Sequence, residues 1–291
     1  MQWLWTVAVK SVLDQLQLTS SRRVWWVTSG LMGTIPIHAA GDYRPNSTDN
    51  TMSSVISSYI SSFKALAYAR QAGRGTQASS TRMLLVTTPG HGRKLDTSHE
   101  TRAISQTLDP ASITALSRPT PAEVLSQLPS HTFAHFACHG FALARDPARG
   151  GLLLVDDDGG RAILTIEDLN RTELGRARVA YLAACSTAET SSERLLDEAI
   201  SLANAFQTAG FRHVVGTLWD ADDYAAGKVA EGFYGRLFEA AAIAAAAGDG
   251  DGDRDAELGA AKALHESVLE YRGSDRRRDI RKWDSFVYIG V

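Results

Sequence analysis

Short apolar runs that recur along the chain constrain its fold more than any other feature of the sequence. Most of them lack strict alternation of polar and apolar side chains, which is typical of strands buried on both faces of a sheet. Segments with apolar residues at helical spacing lie between most of these runs. Alternating strands and helices predict an α/β fold, with a mainly parallel β-sheet flanked by helices on both faces. The predicted strands cover residues 24–27, 83–86, 132–137, 179–184, 214–218 and 286–289, and the predicted helices cover 3–18, 62–70, 121–128, 195–209, 223–240 and 257–271.

Two segments interrupt this alternation. Residues 151–155 and 161–164 are short apolar runs joined by an Asp/Gly cluster, which predicts a β-hairpin inserted between the third and fourth main strands. Residues 248–255, with the sequence GDGDGDRD, have no apolar side chain to bury. We therefore expect a mobile acidic surface loop at 248–255.

The composition argues against several classes of partner and compartment. Lys and Arg number 30, Asp and Glu number 33, and the formal net charge is −3, so no excess of basic residues favours nucleic acid. Two cysteines are too few for a disulfide framework, which indicates a reducing compartment. The N-terminus has no secretory pattern, and the most apolar stretch, 240–247, is far shorter than the roughly 20 residues that span a bilayer. We expect a cytoplasmic protein without nucleic-acid or membrane partners.

A histidine and a cysteine close two of the predicted strands. His139 follows the run HTFAHFAC, and Cys185 follows the run RVAYLAA. Because reactive groups gather beyond the carboxyl ends of adjacent parallel strands, the thiol and the imidazole are candidates for one crevice. A cysteine nucleophile needs a base to hold it as thiolate, and His139 is the natural base. The backbone N–H groups of Gly140 and Cys185 are candidates for an oxyanion hole.

Other chemistries fit the sequence less well. A buried cysteine is more often a core residue than a nucleophile, and we interpret Cys138 in this way. His135, Cys138 and His139 are not expected to bind a metal, because the strand period places Cys138 on the opposite face from the two histidines. Phosphate-binding glycine motifs and the G-x-S-x-G nucleophile elbow are absent from the sequence. We therefore expect neither a metal nor another cofactor.

Five blocks in a fixed order closely resemble the CHAT domain, a caspase-like branch of the cysteine peptidases that is related more distantly to separase and metacaspases. The N-terminal segments 24–41 and 57–66 are similar to the opening of fungal members. The resemblance extends over nearly the whole chain and implies a single caspase-like domain over residues 1–291. The five blocks are HFACHG (135–140), GGLLLVDDDG (150–159), YLAACSTAET (181–190), FQTAGFRHVVGTLWDADD (206–223) and WDSFVYIG (283–290).

The resemblance also implies roles for individual residues. It implies His139 and Cys185 as a catalytic dyad, and it places the acidic block with Asp220, Asp222 and Asp223 beside the pocket for the residue before the scissile bond. In separase-like relatives an aspartate of this block recognises arginine, and the Leu-Trp pair aligns that aspartate with Asp223. The alternative is that Asp222 and Asp223 only cap the helix that follows.

Two functions remain open from the sequence. The first is a cysteine endopeptidase that cleaves protein substrates after a basic residue, in a signalling or programmed-death context. The second is a catalytically silent CHAT-fold module that acts as a scaffold in a signalling assembly. Retention of both dyad residues favours the peptidase. CHAT domains typically follow tetratricopeptide repeats, and none precedes the domain in this sequence. Either the sequence is a stand-alone or truncated form, or a tetratricopeptide-repeat or other activating module on another chain is its partner.

Overall fold

The chain folds around a twisted central sheet. The computed structural model describes residues 1–18, 22–28, 32–33, 35–44, 47–72, 81–88, 96–141, 147–183, 197–219, 221–247, 252–275 and 279–291. Within these residues the strands are β1 (Arg22–Trp26), β2 (Val55–Tyr59), β3 (Met83–Thr87), β4 (Ile113–Ser117), β5 (Phe133–Ala137), β6 (Gly140–Phe141), β7 (Gly151–Val155), β8 (Arg161–Thr165), β9 (Val179–Leu182), β10 (His213–Thr217) and β11 (Phe286–Gly290).

The helices of the described residues connect most of these strands. An N-terminal helix consists of α1 (Gln2–Leu4), a π-helical segment (Trp5–Val9) and α2 (Lys10–Leu16). The others are α3 (Thr51–Ser54), α4 (Phe63–Ala72), α5 (Ser98–Thr107), α6 (Pro121–Gln127), α7 (Ile166–Asn170), α8 (Asp197–Ala209), α9 (Asp223–Ala247) and α10 (Gly252–Ser274).

The main sheet has the strand order β1-β2-β11-β10-β9-β5-β3-β4 in the described part of the chain. Neighbouring strands are parallel except for β10 and β11, which pair antiparallel. The prediction of a mainly parallel α/β sheet is therefore confirmed. The central strands β5, β9, β10 and β11 are buried along their whole length, which explains why they appear in the sequence as continuous apolar runs.

Helices cover both faces of the main sheet. On one face, side chains of the N-terminal helix, α6 and α8 share an apolar core with Phe136 of β5 and Leu182 of β9. On the other face, side chains of α5, α9 and α10 share a second core with Ala137 and Tyr181. Because adjacent strand residues point to opposite faces, β5 and β9 contribute to both cores.

A second sheet of three strands lies beside the carboxyl ends of β3, β4 and β5. The predicted hairpin is confirmed as β7 and β8, and the short strand β6 extends it at the β7 edge. The Thr88 hydroxyl, after β3, donates to the Leu153 carbonyl, and the Val155 N–H donates to the Pro119 carbonyl, after β4. These contacts fix the small sheet to the loops that follow the parallel strands.

The loop predicted over the acidic residues 248–255 is not a loop along its whole length. Helix α10 already begins at Gly252, so residues 252–255 are helical rather than part of a loop. Residues 248–251 lie outside the described residues, and mobility of the segment stays a prediction. Across the described ranges, none of the helices has both the length and the apolar character that crossing a membrane requires.

Helices α5 and α9 pack closely at a glycine, which generates a stability prediction. A Cβ atom added at Gly227 of α9 would lie 2.4 Å from the Cβ atom of His99 of α5, whereas one added at Gly235 would have no described atom within 4 Å. We expect Gly227→Ala to lower the free energy of unfolding by about 1–3 kcal/mol through overpacking. Gly235→Ala, the matched control in the same helix, should raise it by about 0.5–1 kcal/mol, because Ala favours a helix over Gly.

Urea unfolding of both variants checks this prediction. Equal stabilisation by the two substitutions would show that α5 and α9 are not in close contact at Gly227.

Candidate active site

His139 lies just beyond the carboxyl end of β5, in the interior of the protein. Its side chain is only 4% exposed. The Leu153 N–H of β7 donates to the His139 carbonyl at 2.8 Å, and the Thr88 N–H donates to the Ala137 carbonyl at 3.2 Å. The backbone around His139 is therefore held by the second sheet on one side and by the segment after β3 on the other.

The pairing of β5 with β9 sets which residues meet beyond the strand ends. Phe133 pairs with Val179 and Phe136 pairs with Leu182, an offset of 46 residues in each case. The Ala183 N–H donates to the Phe136 carbonyl at 3.0 Å, so the pairing extends one residue past β9. Two of the predicted site residues, Cys185 and Asp220, lie outside the described residues.

Gly140 pairs with Leu152 at the edge of the second sheet. Because the flanking bond runs from the Leu153 N–H to the His139 carbonyl, Gly140 and Leu152 form the non-hydrogen-bonded kind of antiparallel pair. In such a pair the N–H groups point away from the partner strand. The Gly140 N–H is therefore directed away from β7.

The acidic block follows β10, which is the other neighbour of β9 in the sheet. Asp222 is exposed and caps α9, since its Oδ1 atom accepts the Ala225 N–H at 3.0 Å. Its Oδ2 atom lies 3.6 Å from the Lys282 Nζ atom. Asp223 is half-buried, and its Oδ2 atom accepts the Asp96 N–H at 3.2 Å. Asp222 therefore caps α9, whereas Asp223 contacts the segment that leads into α5.

Cys138 occupies the apolar core, as the sequence predicted. It is fully buried among the residues that face α6 and α8, whereas His135 contacts Tyr181 and Tyr234 on the other side of the sheet. The strand period therefore separates Cys138 from His135. In the ranges that the structure describes, His, Cys, Asp and Glu side chains form no group of three or more that could hold a metal ion.

Sequence reasoning missed a buried polar layer beneath the strand ends. Glu100 of α5 is 3% exposed and its Oε1 atom lies 3.8 Å from the His135 Nε2 atom. The His135 Nδ1 atom lies 3.0 Å from the Tyr234 hydroxyl, and the His135 ring stacks on Tyr181 with ring centroids 4.9 Å apart. Burial, with a smaller effect of the Glu100 carboxylate, raises the pKa of Tyr181 well above its ordinary value, so this phenol is neutral. The polar sequence of α5 gave no periodic pattern from which this layer could be predicted.

Comparisons with known proteins identify a family and several structures with a similar fold. The family model of the CHAT domain matches residues 1–291. No curated protein matches the sequence.

Several solved structures share the architecture. The Arg-specific cysteine proteinase gingipain R is 10% identical to this chain and superimposes with a TM-score of 0.61. The match covers 97% of this chain and 66% of the gingipain chain. A complex of the pro- and mature domains of Porphyromonas gingivalis RgpB is 11% identical with a TM-score of 0.61, covering 99% of this chain and 68% of that chain. Saccharomyces cerevisiae separase, in its complex with securin, is 14% identical with a TM-score of 0.52, covering 92% of this chain.

These likenesses show a caspase-like fold of the kind found in cysteine peptidases. The chain spans about two thirds of the gingipain chain and 15% of the separase chain.

The cap at Asp222 generates a prediction that separates helix capping from other roles. We expect Asp222→Ala to lower the free energy of unfolding by about 1 kcal/mol, because the Ala225 N–H loses its acceptor. Asp222→Asn keeps an acceptor oxygen and should cost much less, since the exposed contact with Lys282 contributes little. Thermal unfolding of the two variants measures the difference, and an equal loss in both would show that charge, not capping, is what Asp222 contributes.

Proposed function

Because the chain belongs to the CHAT domain family, we propose that it is a cysteine endopeptidase with His139 and Cys185 as its catalytic dyad. The observation that supports the dyad most directly is the register of β5 and β9. The two strands pair with an offset of 46 residues, and His139 and Cys185 are separated in sequence by the same 46 residues. If the same register continued beyond Ala183, it would bring the two side chains level with each other on the same face of adjacent strands.

The proposed reaction uses the imidazole first as a base and then as an acid. His139 takes the proton of the Cys185 thiol, and the thiolate attacks the carbonyl carbon of the scissile peptide bond. The C–N bond then breaks, the leaving amine takes the proton from His139, and the acyl group remains as a thioester on Cys185. Water, losing a proton to His139, attacks the thioester, and the carboxylic acid leaves as Cys185 regains its proton.

Stabilisation of the developing oxyanion is assigned to two backbone N–H groups. The Gly140 N–H is directed away from β7, which supports its use by a substrate rather than by the sheet. We assign the second donor to the N–H of Cys185 itself. Donors aimed at the oxyanion contribute most when they are fixed in advance, and the β6–β7 pairing fixes Gly140.

Specificity is assigned to the acidic block after β10. The Asp223 carboxylate is half-buried in the first turn of α9, and its Oδ2 atom already accepts the Asp96 N–H. A guanidinium can form a bidentate, charge-assisted pair with such a carboxylate, so we propose cleavage after Arg or Lys. Asp220 and Asp222 add negative charge to the same block. The fold is compatible with this preference, since gingipain R is an Arg-specific proteinase of the same architecture.

We place this activity in a reducing compartment, the cytoplasm, with protein substrates in a signalling or programmed-death context. A tetratricopeptide-repeat or other activating module is the proposed regulatory partner.

The dyad is tested by a thiol-reactive activity probe and by hydrolysis of fluorogenic peptides. Cys185→Ala should abolish both labelling and hydrolysis, and His139→Ala should lower the rate of hydrolysis by about a hundredfold or more, as expected for loss of a general base. Cys138→Ala is the matched control, and because Cys138 is a core residue this variant should keep its probe labelling. Labelling that survives in Cys185→Ala and disappears in Cys138→Ala would reverse the assignment. A wild-type protein that neither reacts nor hydrolyses would instead favour the silent interaction module.

The specificity pocket is tested with a peptide panel varied at the residue before the scissile bond. We expect cleavage after Arg or Lys, and Asp223→Asn should lower kcat/KM for the Arg peptide by about tenfold to a hundredfold, since a charge-assisted hydrogen bond is lost. Asp222→Asn is the comparison variant in the same block and should lower kcat/KM for the Arg peptide much less, because Asp222 only adds charge near the pocket. Cleavage after acidic or apolar residues, or an Arg preference that Asp223→Asn leaves intact, would remove the pocket assignment without affecting the dyad.

A further inference from the structure

Helix α5 carries a carboxylate on the face that packs against the sheet. Glu100 lies in the first turn of α5 and is 3% exposed, beside the apolar residues Ala103 and Ile104. Burying a carboxylate costs free energy unless a partner compensates the lost hydration. A charged residue retained at a core position of a ten-residue helix therefore needs an explanation.

The partner of Glu100 is His135 of β5. The Oε1 and Nε2 atoms lie 3.8 Å apart, and among the described residues neither atom has a hydrogen-bond partner. The other ring nitrogen of His135 lies 3.0 Å from the Tyr234 hydroxyl of α9, and the ring stacks on Tyr181, its register partner in β9. His135 is thus fixed from three elements, and it presents one nitrogen to Glu100. The contact ties α5 to the centre of the sheet.

The segment that leads into α5 contacts the proposed specificity residue. The Asp96 N–H donates to the Asp223 Oδ2 atom at 3.2 Å, and the Ser98 N–H donates to the Asp96 Oδ1 atom at 3.0 Å. His99 packs against Gly227 of α9, one helical turn beyond Asp223. The position of α5 therefore sets where the Asp96 N–H can hold the Asp223 carboxylate.

We propose that Glu100 and His135 are positioning residues for the specificity pocket: their buried contact fixes α5 on the sheet, and α5 holds the Asp223 carboxylate through the Asp96 N–H. The inference rests on the proposed function only in the role it gives to Asp223. Neither residue touches the substrate. The pair acts through α5, on the side of the sheet opposite to Cys138.

Charge removal without a change of shape tests the inference. In Glu100→Gln, peptide hydrolysis should show a rise in KM for the Arg peptide of about fivefold with kcat nearly unchanged, because an effect on binding alone moves KM. The alkylation rate of Cys185 by iodoacetamide should not change. Glu231→Gln, which removes an exposed carboxylate paired with Lys228 on α9, is the matched control and should behave like the wild type.

A double-mutant cycle separates positioning from general destabilisation. If Glu100 acts through Asp223, then Glu100→Gln should raise KM no further in an Asp223→Asn background, whereas independent effects add. Tyr234→Phe removes the hydroxyl that contacts His135 and serves as the second variant if Glu100→Gln does not fold. It should shift KM in the same direction.

A measurement without substrate keeps the inference separable from the proposed function. By NMR, exchange of the Asp96 amide should be about tenfold faster in Glu100→Gln and in His135→Gln than in the wild type or Glu231→Gln, because the amide loses its fixed acceptor. Unchanged exchange would overturn the inference even in an active peptidase. Faster exchange in an enzyme whose KM does not move would overturn the link to the pocket. A protein that cleaves no peptide would end the proposed function, and the exchange result alone would then decide whether the pair fixes α5.

Discussion

The parallel pairing of β5 with β9 is the constraint on which the rest of the molecule depends. Its register decides which side chains are level at the carboxyl edge, and both strands are buried on both faces, so the register is set by two cores at once. A slip by one residue would exchange Phe136 and Ala137 between the cores and turn His135, the one polar residue of β5, to the wrong side. The apolar packing of the sheet therefore also fixes the alignment of the groups beyond it.

The central strands could be predicted because burial on both faces gives them continuous apolar sequences. Two other strands of the main sheet, β2 and β4, could not. β2 contains Ser57 and Ser58, which interrupt its apolar character. In the structure the Trp26 Nε1–H donates to the Ser57 hydroxyl and the Arg23 Nε–H donates to the Ser58 hydroxyl, so tertiary partners from β1 satisfy the two serines. β4 is an edge strand of the sheet and is only partly buried, which explains why its sequence shows no continuous apolar run. Such partners lie far away in sequence, so a local sequence pattern cannot predict them.

The candidate site divides in the same way. His139 and Gly140 could be located from the sequence because they closely follow a buried strand, and the cap at Asp222 follows from its place before a helix. The role of α5 could not be anticipated, because its buried face combines Glu100 with only a few apolar residues. A carboxylate at a core position has no recognisable periodicity, and only the three-dimensional structure identifies His135 as its partner.

The antiparallel strand β11 has a consequence for how the chain assembles. It lies between β2 and β10, so among the strands that the structure describes, the pair β1 and β2 joins the rest of the main sheet only through β11. Of the described strands, β11 is also the last to leave the ribosome. The edge of β2 that faces away from β1 therefore has no partner strand until β11 has been synthesised. During that interval the nascent chain exposes an open strand edge, which is the kind of surface that pairs with other chains.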